Sequence, residues 1–93
     1  MLTVNEYFEG RVKSIGFEDG NGPATMGVMD AGEYRFSTNT VEVMSVITGQ
    51  LTVKLPGKTE WEAYPAGTAF TVAKGEAFDV RIAQPSAYLC RYS

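Results

Sequence analysis

Hydrophobic and polar positions alternate with a period of two along most of this chain. In "LTVKL" (51–55), Leu51, Val53 and Leu55 point one way while Thr52 and Lys54 point the other. "FDVRI" (78–82) repeats the pattern, with Phe78, Val80 and Ile82 set against Asp79 and Arg81. Alternation of this kind marks strands with one buried face. No segment carries a capped helical stripe, and "NEYF" (5–8) is expected to make a single turn at most. Turn signals separate the strands: "DGNGP" (19–23), "DAG" (30–32), "TGQ" (48–50), "PGK" (56–58), "PAG" (65–67), "AKGE" (73–76) and "QPS" (84–86). Proline presets φ and glycine supplies a positive φ, so these clusters reverse the chain. Short strands with turns at about every 8–12 residues predict an all-β fold, a sandwich or barrel, with residues 1–93 as one domain.

Composition narrows the function. At 93 residues and 44% hydrophobic content the chain can build one core and is far from a disordered composition. The net charge of −3 and the scattered basic residues argue against a nucleic-acid surface, which needs clustered Lys and Arg. An enclosed site for a small anion stays compatible with that balance. The single cysteine, Cys90, cannot form an internal disulfide, as expected in a reducing compartment. The start "MLTVNEYFEG" lacks the basic and apolar regions of a signal peptide, and no apolar run reaches membrane-spanning length. A cytoplasmic location without membrane contact is expected.

The glycines and prolines sit in a recognisable frame. Gly32 is followed after five residues by Thr38 and Thr40, Glu42 stands seven before Gly49, and Pro65-Ala66-Gly67 is followed after two residues by Phe70. This frame resembles the two motifs of the cupin family, which implies a jelly-roll barrel. The resemblance departs in two ways: the gap before Glu42 is short, and Thr38, Thr40 and Phe70 stand where cupins place metal-binding histidines. The chain has no histidine at all. Transition-metal sites rely on imidazole together with carboxylate, so no metal and no cofactor are expected. The rival is a site of carboxylates and water alone.

Longer stretches carry a closer resemblance. "NEYFEGRVKSIGF", "GVMDAGEYRFST", the "LP…W…Y" run from Leu55 to Tyr64 and the terminal "YLCRY" resemble the small cupins of the pyrimidine/purine nucleoside phosphorylase family, end to end. The resemblance implies a broad-range enzyme that splits purine and pyrimidine nucleosides with inorganic phosphate into free base and ribose 1-phosphate. Such phosphorolysis needs a phosphate cradle, a carboxylate beneath the ribose and donors to the leaving base, with no metal or covalent nucleophile.

Candidates for these parts follow from position. Glu42 falls where cupins place an inward-facing ligand and is the expected catalytic carboxylate; the competing reading is a structural Arg–Glu pair. Arg91 in "YLCRY" and Lys13 in "VKSIGF" are the expected phosphate-binding cations. Tyr34, Phe36 and Thr38 share a strand face; Tyr34 is a candidate for stacking a base, and Thr38 and Thr40 for donating to base or phosphate, with barrel core as the competing reading for the aromatics and an ordinary strand residue for the threonines. Tyr88 and Tyr92 bracket Arg91 and are expected to position it. Phe70 is expected to fill the lost histidine's space, Glu33 to be a surface residue, and Cys90 to be an inert buried thiol. Exposed sheet edges in so small a jelly roll suggest a homodimer. The alternative function is a binding module that holds a nucleoside, sugar or phosphate without turning it over.

Overall fold

The computed structural model describes residues 1–93 and holds ten strands and no helix. In chain order they are β1 (Thr3–Tyr7), β2 (Val12–Asp19), β3 (Gly22–Met29), β4 (Gly32–Ser37), β5 (Glu42–Thr48), β6 (Gln50–Lys54), β7 (Glu62–Pro65), β8 (Ala69–Val72), β9 (Ala77–Ile82) and β10 (Ser86–Tyr92). They form two antiparallel sheets, a six-stranded one in the order β1-β2-β3-β10-β5-β8 and a four-stranded one in the order β4-β9-β6-β7. This is the expected jelly-roll architecture, with the two sheets remaining distinct instead of closing into one hydrogen-bonded barrel. No helix is available to cross a membrane.

The period of two in the sequence becomes the core. Leu51 and Val53 on β6 and Val80 on β9 have no exposed surface, and neither has Val12 on β2, which faces them from the other sheet. Phe78 and Ile82 complete the inward set of β9, while Asp79 and Arg81 turn outward to ion pairs with Arg35 and Glu33. Phe70 is buried against Tyr64 and Phe78, filling the position a cupin histidine would take. Gly49 has a φ of +80°, and a side chain there would collide with buried Ser86. Only glycine fits this turn, so the frame glycine serves the backbone and not a ligand.

The stretch "NEYF" differs from expectation. Asn5, Glu6 and Tyr7 belong to β1, an edge strand paired with β2 through Tyr7↔Val12 and Asn5↔Ser14. Pairing with β2 supplies the backbone partners that an isolated helical turn could not. Phe8 (φ 53°) and Glu9 (φ 59°) then take the left-handed conformation, and Gly10 N donates to Tyr7 O at 3.1 Å. Two successive positive φ values give the twist of a type I′ turn, at a cost of about 1–2 kcal/mol per non-glycine residue. Phe8 recovers this through its ring, which packs 4.9 Å from Tyr34 and 5.5 Å from Phe36. Exposed Glu9 has no such compensation. Glu9→Gly is therefore expected to raise stability by about 0.5–1 kcal/mol in urea unfolding, whereas Phe8→Gly is expected to lower it.

A candidate active site between the sheets

Strand β10 runs between β3 and β5 and lays the floor of a cavity of about 470 Å³. That volume suits a small-molecule ligand. Alternation decides the floor: Tyr88, Cys90 and Tyr92 line the cavity, while Leu89 and Arg91 turn to the outer face. Their partners on β5 are Val46, Met44 and Glu42, so Glu42 enters the cavity beside Tyr92. Phe36 and Phe78, paired across β4 and β9, form an aromatic wall with ring centroids 5.7 Å apart. Tyr7, Ser37, Asn39 and Thr40 make up the rim.

The electrostatics of this cavity centre on one carboxyl. Half-buried Glu42 accepts a hydrogen bond from Cys90 Sγ at 3.6 Å, and no side chain among the chain's eight Lys and Arg lines the cavity. Burial lifts the Glu42 carboxyl above its ordinary 4.5, with the Cys90 contact pulling the other way. Burial, reinforced by the Glu42 charge, pushes the Cys90 thiol up to about 12. That thiol stays protonated, so it serves Glu42 as a donor and is no nucleophile. Burial likewise pushes the Tyr88 phenol up to about 12 and raises Tyr92. Both phenols are neutral hydrogen-bonding groups at pH 7, and Tyr92 shares a 2.9 Å hydrogen bond with Thr25 Oγ1. Such a cavity can shelter a flat ring, hydrogen-bond a hydroxyl-rich ligand and set a carboxylate beside developing positive charge.

The candidates from sequence are distributed around this site: Glu42, Thr40 and Phe36 line it, and Arg91, Lys13, Thr38 and Tyr34 do not. Glu42 lines the cavity and has no arginine partner; Arg91 is paired elsewhere, with Asp19, through 2.9 and 2.7 Å contacts that hold the Asp19 carboxyl down to about 2. Lys13 lies on the same outer face, exposed, 3.5 Å from Glu6. Thr38 stands behind the rim: its hydroxyl donates to Ala73 O at 2.7 Å and accepts from Glu76 N at 3.0 Å. These bonds pin residues 38–41 to the β8–β9 turn and leave Asn39 and Thr40 facing the cavity. Tyr34 is buried behind Phe36 and donates to Asp30 O at 2.6 Å. Tyr88 and Tyr92 do not position Arg91, because strand alternation sends them to the opposite face. With Ser14, Tyr7, Ser37 and Asn39 they are the polar lining that the sequence reading missed, and the parity of "YLCRY" was the signal for both tyrosines.

Comparison with known proteins adds the family. Residues 2–92 match the family model described as pyrimidine/purine nucleoside phosphorylase. Proteins named pyrimidine/purine nucleoside phosphorylase from Pseudomonas aeruginosa and Teredinibacter turnerae are each 55% identical over 92 residues. The alignments cover 99% of this chain, and 99% and 98% of those proteins. A crystal structure of a protein of unknown function from Vibrio parahaemolyticus superposes with a TM-score of 0.96 at 39% identity, covering 100% of this chain and 99% of that one. An RmlC-like cupin from Shewanella frigidimarina, 18% identical with a TM-score of 0.78, covers 100% of this chain and 84% of its own, and shares the fold. The chain belongs to the pyrimidine/purine nucleoside phosphorylase family.

The raised Glu42 carboxyl sets a pH dependence. In the unfolded chain Glu42 ionises near 4.5 and in the folded chain at higher pH, so its penalty is absent below that value and grows as pH rises through the folded value. Glu42→Gln is expected to melt at a higher temperature than the parent at pH 7, with the gap closing as pH falls through the raised folded value and gone below about 4.5. Thermal melts across pH check this.

Proposed function

We propose that this member of the family is a broad-range, metal-independent phosphorylase. It splits purine and pyrimidine nucleosides with inorganic phosphate to a free base and ribose 1-phosphate, and the cavity above β10 is its site. The observation that carries the reading is Glu42: a carboxyl half-buried in an aromatic-walled cavity, with a neutral thiol for company and no cation. An uncompensated carboxyl is unfavourable for the fold, so its place there points to a ligand that supplies the missing partner. A ribosyl group gaining positive charge as its base departs is such a partner. Phe36 and Phe78 offer a stacking wall indifferent to the kind of base. Thr38 acts by holding the rim loop and Tyr34 by backing Phe36, so both are positioning residues in this reading.

Phosphate meets neutral donors in this cavity. Hydroxyls of Ser14, Ser37, Thr40 and the tyrosines, with the Asn39 amide, are the groups within it. Arg91 and Lys13 are on the far side of the six-stranded sheet and engaged with Asp19 and Glu6. Support for metal independence comes from donor chemistry: Thr38, Thr40 and Phe70 occupy the histidine positions, and no three His, Cys, Asp or Glu residues cluster. A buried free thiol suits the cytoplasm, where we place the protein.

We also infer a homodimer through the outer face of the six-stranded sheet. Val4, Ile15 and Met26 are cross-strand neighbours there, with Val28 beside them, and all four are 44–75% exposed. A contiguous apolar face of this kind fits a twofold partner.

Incubation of the purified protein with uridine, and separately inosine, tests the activity. Free base and ribose 1-phosphate are expected only when phosphate is present, and equally with chelator; no base from either substrate moves the function to a binding module. Glu42→Gln is expected to lower kcat roughly a hundredfold or more, while Arg91→Ala is expected to leave phosphate saturation within about twofold, because Arg91 lies on the opposite face of the sheet, paired with Asp19. Met26→Lys, which places a charge on the apolar face, is expected to sediment as a monomer.

A further inference from the structure

Gly27 is unlike the turn glycines. It lies in the middle of β3, and its φ is not among the positive ones, so its backbone is open to any residue. A neighbour explains it instead. Gly27 is the cross-strand partner of Tyr88 on one side and of Ser14 on the other. A Cβ at position 27 would lie 2.5 Å from both Cζ and the hydroxyl oxygen of Tyr88. The phenol thus lies down across β3, in the space a side chain would fill, and points towards Ser14. Carbon contacts settle near 3.5–4.0 Å, so a methyl group at position 27 forces the ring away by about 1 Å or more.

The direction of that movement is fixed by the surroundings. Tyr88 is 6% exposed, with the β3 backbone beneath it and buried Val46 beside it on β5. The one open side is the cavity, whose lining includes both Tyr88 and Ser14. A ring lifted from β3 therefore takes up cavity volume.

Resting on the phosphorylase reading above, we propose that Gly27 is a specificity-determining residue. By letting Tyr88 lie flat it keeps the cavity deep enough for the two fused rings of a purine as well as the single ring of a pyrimidine. Gly27 acts through Tyr88 and touches no substrate itself. Breadth of substrate range is on this view a packing property of a β3–β10 contact, set by a missing side chain.

The test is a double-mutant cycle read as a ratio of kcat/KM for inosine to kcat/KM for uridine. Gly27→Ala is expected to lower the inosine-to-uridine ratio at least tenfold, mainly through KM for inosine. With Tyr88→Val already in place the ring is gone, and adding Gly27→Ala is expected to leave that variant's ratio unchanged within twofold. A ratio unchanged by Gly27→Ala in the parent, or shifted equally in both backgrounds, overturns the proposal while leaving the phosphorylase reading intact. A parent protein that releases no base from either nucleoside overturns both. If Gly27→Ala fails to fold, Gly27→Ala/Tyr88→Val is expected to fold because the clash has been removed; an unfolded double variant shows that position 27 requires glycine for another reason and overturns the proposal.

Discussion

Strand β10 sits between β3 and β5 in the six-stranded sheet, and the alternation of its side chains decides what the cavity contains. Residues 88, 90 and 92 bring two phenols and a thiol inward, and pairing with β5 sets Glu42 among them. Residues 89 and 91 go to the opposite face, where Arg91 locks onto Asp19. A shift of one residue in the pairing of β10 would exchange these sets, turning a cavity with a lone carboxylate into one holding an arginine. Burial of the inward set itself holds the register, since Tyr88 and Cys90 would both be exposed by such a slip.

That register leaves an electrostatic imbalance at the centre of the molecule. Every buried side-chain polar atom has a hydrogen-bond partner, yet Glu42 meets only a thiol, a weak donor. The fold bears a penalty for ionising Glu42 that a glutamine would avoid. Strain and uncompensated charge gather on the same side of the molecule, since the left-handed Phe8 packs against Phe36 of the cavity wall. In the phosphorylase proposed above, features unfavourable for stability yet fixed by the surrounding packing fall where the ligand would sit.

How much of this was legible in the sequence depended on whether the property was local. Alternation at Leu51–Leu55 and Phe78–Ile82 identified core strands, because burial of one strand face is written in a period of two. The glycine frame gave the jelly roll, and the placement of Glu42 in the cavity followed from it. The partners of the cations were not legible: Asp19 is 72 positions from Arg91, and only the sheet order brings them together. Nor were the partners of Thr38: its hydroxyl makes three hydrogen bonds to Ala73 and Glu76, 35 and 38 positions away, so its structural role is not written locally. The two tyrosines of "YLCRY" were legible from parity alone, since residues 88, 90 and 92 share one strand face and Arg91 takes the other.

The account rests on Glu42 working as a carboxylate from within this cavity. The pH dependence of kcat/KM for uridine at fixed phosphate, which reports ionisations of the free protein, tests that most directly, measured for the parent and for Glu42→Gln. The parent is predicted to lose activity on the acid side through a single ionisation above 4.5, in line with the raised carboxyl, and the residual activity of Glu42→Gln is predicted to lack that limb. An acid limb that is the same in both proteins would contradict the account and place the chemistry on another group.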